Sequence, residues 1–151
     1  MSRLTYYHAN GKGTGSALAI ELHPAHDEVA GHFTAILAPQ KTPPEASLPT
    51  FDWDNAVVVK LGVSDICEML QVLRGYAESI EDGRGLFHRT REASIVIRFS
   101  HVIEPRPGYM LEIGKTTDGE TRTLRIMLSP SEALALSLAI ETSVSRIVFG
   151  D

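Results

Sequence analysis

The chain has few of the features that mark several common protein classes. Its 151 residues include a single cysteine, Cys67, which excludes an internal disulfide. No apolar run approaches the roughly 20 residues that a membrane-spanning helix needs. The first residues also contain no apolar segment of the signal-peptide type. We therefore expect a soluble protein of the cytoplasm with no membrane partner.

Motifs of enzymatic, cofactor and metal chemistry are also missing. The sequence contains no Gly-x-Ser-x-Gly, His-Glu-x-x-His or Gly-rich phosphate loop. His23 and His26 lie three residues apart, but no third ligand follows in a recognisable motif. A zinc site needs three or four ligands. We predict a protein that is not an enzyme and that has no cofactor and no metal site.

Positive charge is scarce overall but not evenly so. The net charge of −5 argues against a bulk electrostatic attraction to nucleic acid. Residues 84–125, however, contain eight basic and five acidic side chains, so the remainder of the chain is strongly acidic. This separation is a weak indication of an anionic partner on one face. An ordinary solvated surface would explain it equally well.

The hydrophobic pattern predicts two similar units within a single domain, residues 1–151. Alternating apolar residues predict strands, and helical spacing predicts a helix after each set of strands, with Ser64 as the N-cap of the first helix. The internal repeat covers residues 1–82 and 83–151. The fold class is α+β, with predicted strands at 4–9, 16–23, 32–38, 56–62, 86–91, 94–103, 109–116 and 121–128, and helices at 65–79 and 130–148.

The last predicted helix has the clearest local signal in the chain. Ser129, Pro130 and Glu132 form a capping box with proline at the first helical position. Leu134, Leu138 and neighbouring apolar residues make this helix hydrophobic on more than one side, which indicates burial on more than one side. A subunit interface would bury the second side. A monomer that encloses the helix in its own core is the alternative.

Short motifs also occur in a fixed order along most of the chain. They are Gly31-His32-Phe33, Phe51-Asp52-Trp53, Leu61-Gly62-Val63-Ser64-Asp65-Ile66, Phe87-His88, Gly108-Tyr109, Leu128-Ser129-Pro130-Ser131-Glu132 and Ile147-Val148-Phe149-Gly150. In their order and spacing the chain resembles the Whirly proteins, single-stranded DNA binders of plants with bacterial relatives of similar fold. The chain would be such a bacterial relative.

The resemblance implies two antiparallel four-stranded sheets, each followed by a helix. It implies a transcription-regulator-like homotetramer with helices at its centre, in which bases stack along sheet edges between subunits. Plant members carry a Lys-Gly-Lys-Ala-Ala-Leu patch where this chain has Gly11-Lys12-Gly13 and three further residues before Ala17. A protein-interaction or scaffolding module without nucleic-acid binding therefore stays open as the alternative function.

Sequence-tolerant binding of single strands requires flat rings for stacking and cations for phosphates. The candidate rings are Tyr6, Tyr7, Phe33, Trp53, Phe87 and Tyr109, and the candidate cations are Lys12, Lys41, Lys60, Arg89, Arg91, Arg98, Lys115, Arg122 and Arg125. Trp53 can equally be a structural anchor for its strand, and residues such as Phe33 and Phe87 more often belong to the core than to a stacking surface. Only one of Tyr6 and Tyr7 can face outward from a strand. The partner can be DNA or RNA, and the oligomer a tetramer or a dimer.

Overall fold

The computed structural model describes residues 3–41 and 48–151. Two short 3-10 helices, Trp53–Asn55 and Ile80–Gly83, accompany the main elements. The main elements are β1 (Arg3–His8), β2 (Ser16–His23), β3 (His32–Pro39), β4 (Val57–Leu61), α1 (Val63–Leu73), β5 (Leu86–Arg89), β6 (Ser94–Val102), β7 (Gly108–Thr117), β8 (Glu120–Leu128) and α2 (Pro130–Phe149).

Each group of four strands forms its own antiparallel meander. The sheet orders are β1-β2-β3-β4 and β5-β6-β7-β8, so every strand pairs with its neighbour in the chain. Asp118 and Gly119 form the tight turn between β7 and β8, and both have positive φ, as such hairpins require. The predicted α+β architecture of four strands and a helix, repeated once, is confirmed.

The two sheets and both helices share one hydrophobic core. Along each strand, alternate side chains face this core, and directly paired residues face it together. The remaining side chains of every strand lie on an outward face. The inward-facing core residues of the strands include Leu18, Ile20, Phe33, Ala35, Leu37, Val57, Val59, Ile95, Ile97, Phe99, Leu111, Ile113, Ile126 and Leu128.

The first helix is shorter than its sequence predicts. It spans Val63–Leu73 with Gly62 as N-cap, so the assignment of Ser64 as N-cap is wrong. The Asp65 carboxylate accepts the Gly62 backbone N–H at 2.9 Å and thereby stabilises the helix start. Gly75, with φ of +80°, turns the chain out of the helix. Ile80, which continues the apolar periodicity, is buried in the 3-10 helix that follows.

The second helix begins as predicted and is tied to the first strand. The Ser129 hydroxyl accepts the Glu132 backbone N–H at 3.2 Å, and the Glu132 carboxylate accepts the Ser129 backbone N–H at 2.9 Å. His8 Nε2 lies 2.8 Å from the Glu132 carboxylate, and the Tyr6 hydroxyl donates to the Glu132 backbone carbonyl at 2.8 Å. Residues of β1 therefore fix the position at which α2 starts.

The Glu132 carboxyl titrates below its usual range in this setting. Burial opposes ionisation, but hydrogen bonds from Ser129 and His8 and the charge of His8 outweigh it and lower the Glu132 pKa. The Tyr6 pKa moves upward, because burial and the nearby Glu132 charge both disfavour the phenolate. Both groups therefore keep their hydrogen-bonding states at neutral pH.

The solvent side of α2 is apolar over its first half. Leu134 and Leu138 are 62% and 55% exposed. Because they lie one turn apart on the same side of the helix, they form one apolar patch. At the C-terminal end, Val148 and Phe149 are also exposed. Within residues 3–41 and 48–151, neither helix is long and apolar enough to cross a membrane.

Candidate nucleic-acid interface

Strand alternation divides the candidate residues between two outward faces. On the first sheet, Arg3 and Tyr7 of β1 and Lys60 of β4 project away from the core. Tyr7 contacts Phe51, and Arg3 contacts Trp53. The Phe51 and Trp53 rings therefore lie on the same outward side of the sheet. We call Arg3, Tyr7, Phe51, Trp53 and Lys60 the aromatic face.

Backbone hydrogen bonds hold Phe51 against the end of β3. The Lys41 N–H donates to the Thr50 carbonyl at 2.8 Å, and the Asp52 N–H donates to the Pro39 carbonyl at 2.9 Å. The Tyr7 and Phe51 ring centroids are 5.6 Å apart, with the planes tilted by 44°. The two rings therefore form one continuous apolar surface, from which Tyr7 projects with 63% of its area exposed.

The two adjacent tyrosines of β1 have different roles. Tyr6 faces the core, and its hydroxyl is committed to the Glu132 carbonyl. Tyr7 faces solvent and has no such bond among the described residues. The structure therefore leaves the Tyr7 ring available to a stacking base and makes Tyr6 a structural contact between β1 and α2.

Trp53 is partly buried at the other end of the same apolar surface. It begins the short 3-10 helix Trp53–Asn55, which the sequence did not indicate, and the Arg3 guanidinium lies 5.8 Å from its ring centroid. Arg3 also contacts the Glu21 carboxylate at 3.3 Å. A cation above an indole ring is a favourable arrangement, and it places a positive group beside the ring.

Lysines lie at both ends of the aromatic face. Lys12 is in the β1–β2 loop, and Lys41 follows β3, next to the end occupied by Tyr7. The buried Gln40 side chain joins these two segments, since it accepts the backbone N–H groups of Asn10 and Gly15, both at 3.0 Å. Lys60 occupies the far end, at an exposed position of the edge strand β4. Cations thus lie beside the rings at both ends of this face.

The outward side of the second sheet has a different composition. Arg98, Glu112 and Arg125 lie directly opposite one another across β6, β7 and β8. The Glu112 carboxylate is 3.4 Å from Arg98 and 3.8 Å from Arg125. Both arginine side chains are about half or more exposed, whereas Glu112 is 24% exposed. One acid therefore orients two guanidinium groups and neutralises only part of their charge.

An exposed ring lies beside this row of charges. Phe87 is 72% exposed on the outward side of β5, one row further along the sheet than Arg98. Arg89 occupies the next row on the same strand. Since successive rows on one face of a sheet are about 7 Å apart, Phe87 has an arginine row on either side. We call Phe87, Arg89, Arg98, Glu112 and Arg125 the arginine face.

Other predicted residues lie away from both faces. Phe33 is 3% exposed, so its ring belongs to the core and offers no surface to a base, which corrects the sequence-based assignment. Tyr109 is partly buried between Phe99 and His101, with ring centroids 5.8 and 4.8 Å away. It packs near the start of α2 and contributes to neither face.

The remaining cations lie at one end of the second sheet. Arg91 is exposed in the turn between β5 and β6. Lys115 and Arg122 face each other across β7 and β8, on the inward side but beyond the core, where they border a shallow depression with Val57 of the first sheet. They are accessible but separate from the aromatic face and the arginine face.

Sequence reasoning missed several members of the two faces. Phe51 was recognised within a motif but not as a ring next to Tyr7, because that contact depends on how the segment before β4 returns to the sheet. Arg3 could have been found from its alternation with Tyr7 along β1. Glu112 could have been found only from the register of β6, β7 and β8.

Several solved structures have a similar fold. WHY3 from Arabidopsis thaliana, a Whirly protein, superposes with a TM-score of 0.74 at 17% identity, over 97% of this chain and 89% of that chain. The plant transcriptional regulator PBF-2 gives 0.73 at 17% identity, over 97% and 83%. A guide-RNA-binding protein complex bound to a guide RNA gives 0.63 at 16%, over 94% and 88%.

These similarities show that the chain has the Whirly fold. No protein-family profile matches the sequence. No curated protein matches it either. At 16–17% identity, these similarities show the fold alone.

Proposed function

We propose that this protein binds single-stranded nucleic acid, without enzymatic activity and with little sequence specificity, as a homo-oligomer. Single-stranded DNA is the first candidate ligand and RNA the second. Bases stack on exposed rings, and basic side chains contact the phosphates. The cytoplasmic location and the bacterial origin stay predictions from the sequence.

The combination of rings and cations on the outward faces carries this proposal. On the aromatic face, Tyr7 and Phe51 present ring surface, and Lys12 and Lys41 lie at the same end. A base stacked on an aromatic side chain contributes roughly 1–3 kcal/mol, and every base has a face that can stack. This mode of recognition suits a chain whose net charge is −5, because it does not depend on a large basic surface.

The arginine face supports the same function in a different way. Arg98 and Arg125 are held in place by Glu112, so little side-chain freedom is lost when a phosphate replaces or joins that contact. Phe87 offers a ring one row away. A strand that follows this sheet would find stacking and phosphate contacts in alternation.

The homo-oligomer is proposed from the exposed apolar side of α2. Leu134 and Leu138 make a patch that a monomer would leave in water. Pairing of α2 helices from several copies would cover it, and a tetramer in the arrangement implied by the Whirly fold is the proposed state.

Fluorescence anisotropy of a labelled 30-nucleotide strand tests the proposal most simply. The mixed-sequence strand, its duplex and the corresponding RNA are titrated with protein at 50 and 200 mM salt. We expect binding of single strands in preference to the duplex, and weaker binding at the higher salt, because phosphate contacts release counterions. The ratio of DNA to RNA affinity identifies the preferred ligand.

A Lys12→Gln/Lys41→Gln variant controls for the phosphate contacts, because both side chains are exposed and the fold does not depend on them. We expect a smaller salt dependence with the fold unchanged by circular dichroism. Absence of binding to every strand at 50 mM salt would overturn the proposal and favour the protein-interaction module.

A further inference from the structure

Two histidines lie side by side at the end of the aromatic face occupied by Lys60. His23 ends β2 and His32 begins β3, and the two residues are direct partners in the antiparallel register. Their ring centroids are 4.6 Å apart, and the ring planes differ by 13°, so the imidazoles stack. Both are partly exposed, and both project on the outward side of the sheet.

The charged surroundings of this histidine pair are mainly basic or already neutralised. Lys60 of β4 pairs with Thr34 of β3. Since Thr34 follows His32 by two residues on the same face, Lys60 lies diagonal to His32. Glu21, two residues before His23, contacts Arg3 of β1 at 3.3 Å. In the β2–β3 connection, His26 lies 3.7 Å from Asp27, and Glu28 is exposed nearby.

The end of α2 packs against the same connection without adding free charge to it. The Arg146 carbonyl accepts the Ala25 backbone N–H, and the Arg146 guanidinium is 2.6 Å from the Asp151 carboxylate. Among the described residues, no acidic side chain forms an ion pair with His23, His32 or Lys60. The three basic groups therefore face solvent together.

We propose that His23, His32 and Lys60 form a subsite for a backbone phosphate, and that the protein takes up a proton when the phosphate binds. This inference rests on the proposed function. Two imidazoles and one ammonium can each donate a hydrogen bond to the oxygens of a phosphodiester. A metal ion is a poorer match, since only two nitrogen ligands are present and zinc requires three or four.

The free protein disfavours protonation of His32. Burial lowers the His32 pKa, and the charges of His23 and Lys60 lower it further. A bound phosphate supplies the opposite charge that all three groups lack, so it favours the protonated imidazoles. If strand binding raises the proton affinity of the imidazoles, protonation of the imidazoles must in turn raise the affinity for the strand. Strand binding should therefore become tighter as the pH falls.

The test compares strand affinity at pH 5.5 and pH 7.5 for three proteins. The wild type should bind a 30-nucleotide DNA strand about tenfold more tightly at pH 5.5. This is the change in affinity expected if binding raises the pKa of one imidazole by about one unit. The His23→Asn/His32→Asn variant should change less than twofold. His26→Asn, which removes an exposed histidine outside the sheet face, should behave like the wild type.

A second readout uses the phosphodiester alone. Dimethyl phosphate keeps its single negative charge across this pH range, and the imidazole protons of His23 and His32 report their titration by NMR. We expect the phosphodiester to raise the titration midpoints of both rings in the wild type. The midpoint of His26 should not move, since this ring lies off the sheet face.

The two readouts separate failure of the subsite from failure of the proposed function. Tight strand binding with the same affinity at both pH values would overturn the subsite and leave the function standing. Retention of the pH effect in the His23→Asn/His32→Asn variant would do the same. Absence of strand binding together with shifted midpoints in dimethyl phosphate would overturn the function but support the anion site. If the protein neither binds the strand nor shows shifted midpoints in dimethyl phosphate, both proposals are overturned.

Discussion

The two outward faces of this molecule lie on two four-stranded meanders of the same topology but carry different chemistry. On the aromatic face, Phe51 and Trp53 lie beside Tyr7 and Arg3, because the segment before β4 returns across the end of β3. In the described part of the chain no such segment covers the arginine face, and Arg98 and Arg125 remain exposed beside Glu112. One face is therefore suited mainly to stacking and the other mainly to phosphate contacts.

This division has a consequence for how a strand could be held. Both inner faces contribute to one core, so the two outward faces of a protomer point away from each other. A short strand cannot use both on the same molecule. Neighbouring protomers could supply one face each, which links the exposed apolar side of α2 to the binding function.

Disruption of the oligomer should have the largest effect. The Leu134→Glu/Leu138→Glu variant places two charges on the apolar side of α2, where both side chains are exposed and contribute little to the monomer core. We expect smaller particles by light scattering, and affinity for a 30-nucleotide strand lower by about 100-fold, because the two faces no longer bind together.

The matched control is Gln71→Glu, which adds a charge at an exposed position of α1. It should leave both the particle mass and the affinity unchanged. The link between oligomer and binding would be contradicted if the particles of the α2 variant kept the wild-type mass. It would also be contradicted if the particles became smaller but the affinity for the strand stayed the same.

Removal of the most exposed ring of the aromatic face should have the next largest effect. Tyr7→Ala is expected to weaken single-strand binding by roughly 5- to 150-fold, the equivalent of roughly 1–3 kcal/mol of stacking. The Tyr6→Phe variant is its control, because this side chain faces the core and loses only the hydrogen bond to the Glu132 carbonyl. Anisotropy titrations of both variants make the comparison, and equal losses would argue against a special role of Tyr7.

Neutralisation of the arginine face should weaken binding most at low salt and thereby reduce the salt dependence. For Arg98→Gln/Arg125→Gln, the slope of log affinity against log salt should fall by about 2, or about one for each lost phosphate contact. Glu112→Gln should strengthen binding, since it removes the negative charge that competes with phosphate while its amide oxygen can still accept from the two guanidinium groups. An unchanged slope in the arginine variant would show that the strand does not contact this face.

A change at the start of α2 should affect stability and neither face directly. Since the Glu132 pKa is lowered in the folded state, its contribution to stability is present above the unfolded pKa and is lost as pH falls through the lower folded value. Glu132→Gln should therefore reduce the free energy of unfolding at pH 7 by about 1 kcal/mol, the usual cost of weakening a helix cap. Thermal melts at pH 7 and pH 3 should show the difference at pH 7 only, and an equal difference at both would be inconsistent with this ionisation.

The sequence predicted those features that depend on local signals. Strand alternation and the Ser129–Glu132 capping box are readable within a few residues, and both are confirmed. The end of α1 was missed, because Ile80 continues the apolar periodicity past Gly75, where a left-handed residue breaks the helix. Local periodicity cannot distinguish a continued helix from a turn that returns an apolar residue to the same core.

The candidate site was less predictable because it depends on contacts between distant residues. Alternation correctly places Arg98 and Arg125 on the exposed sides of their strands. It does not reveal that Glu112 lies between them, which follows from the register of three strands. The burial of Phe33 and the contact between Tyr7 and Phe51 likewise depend on which side of the first sheet meets the core.

The most direct test of a nucleic-acid strand on the aromatic face uses the fluorescence of Trp53, the single tryptophan of the chain. The protein is titrated with a 30-nucleotide DNA strand at 50 mM salt, and salt is then added to the saturated complex. We predict a saturable change in Trp53 emission that salt reverses and that the duplex does not produce. Unchanged emission at an excess of single strand would contradict the assignment of the aromatic face.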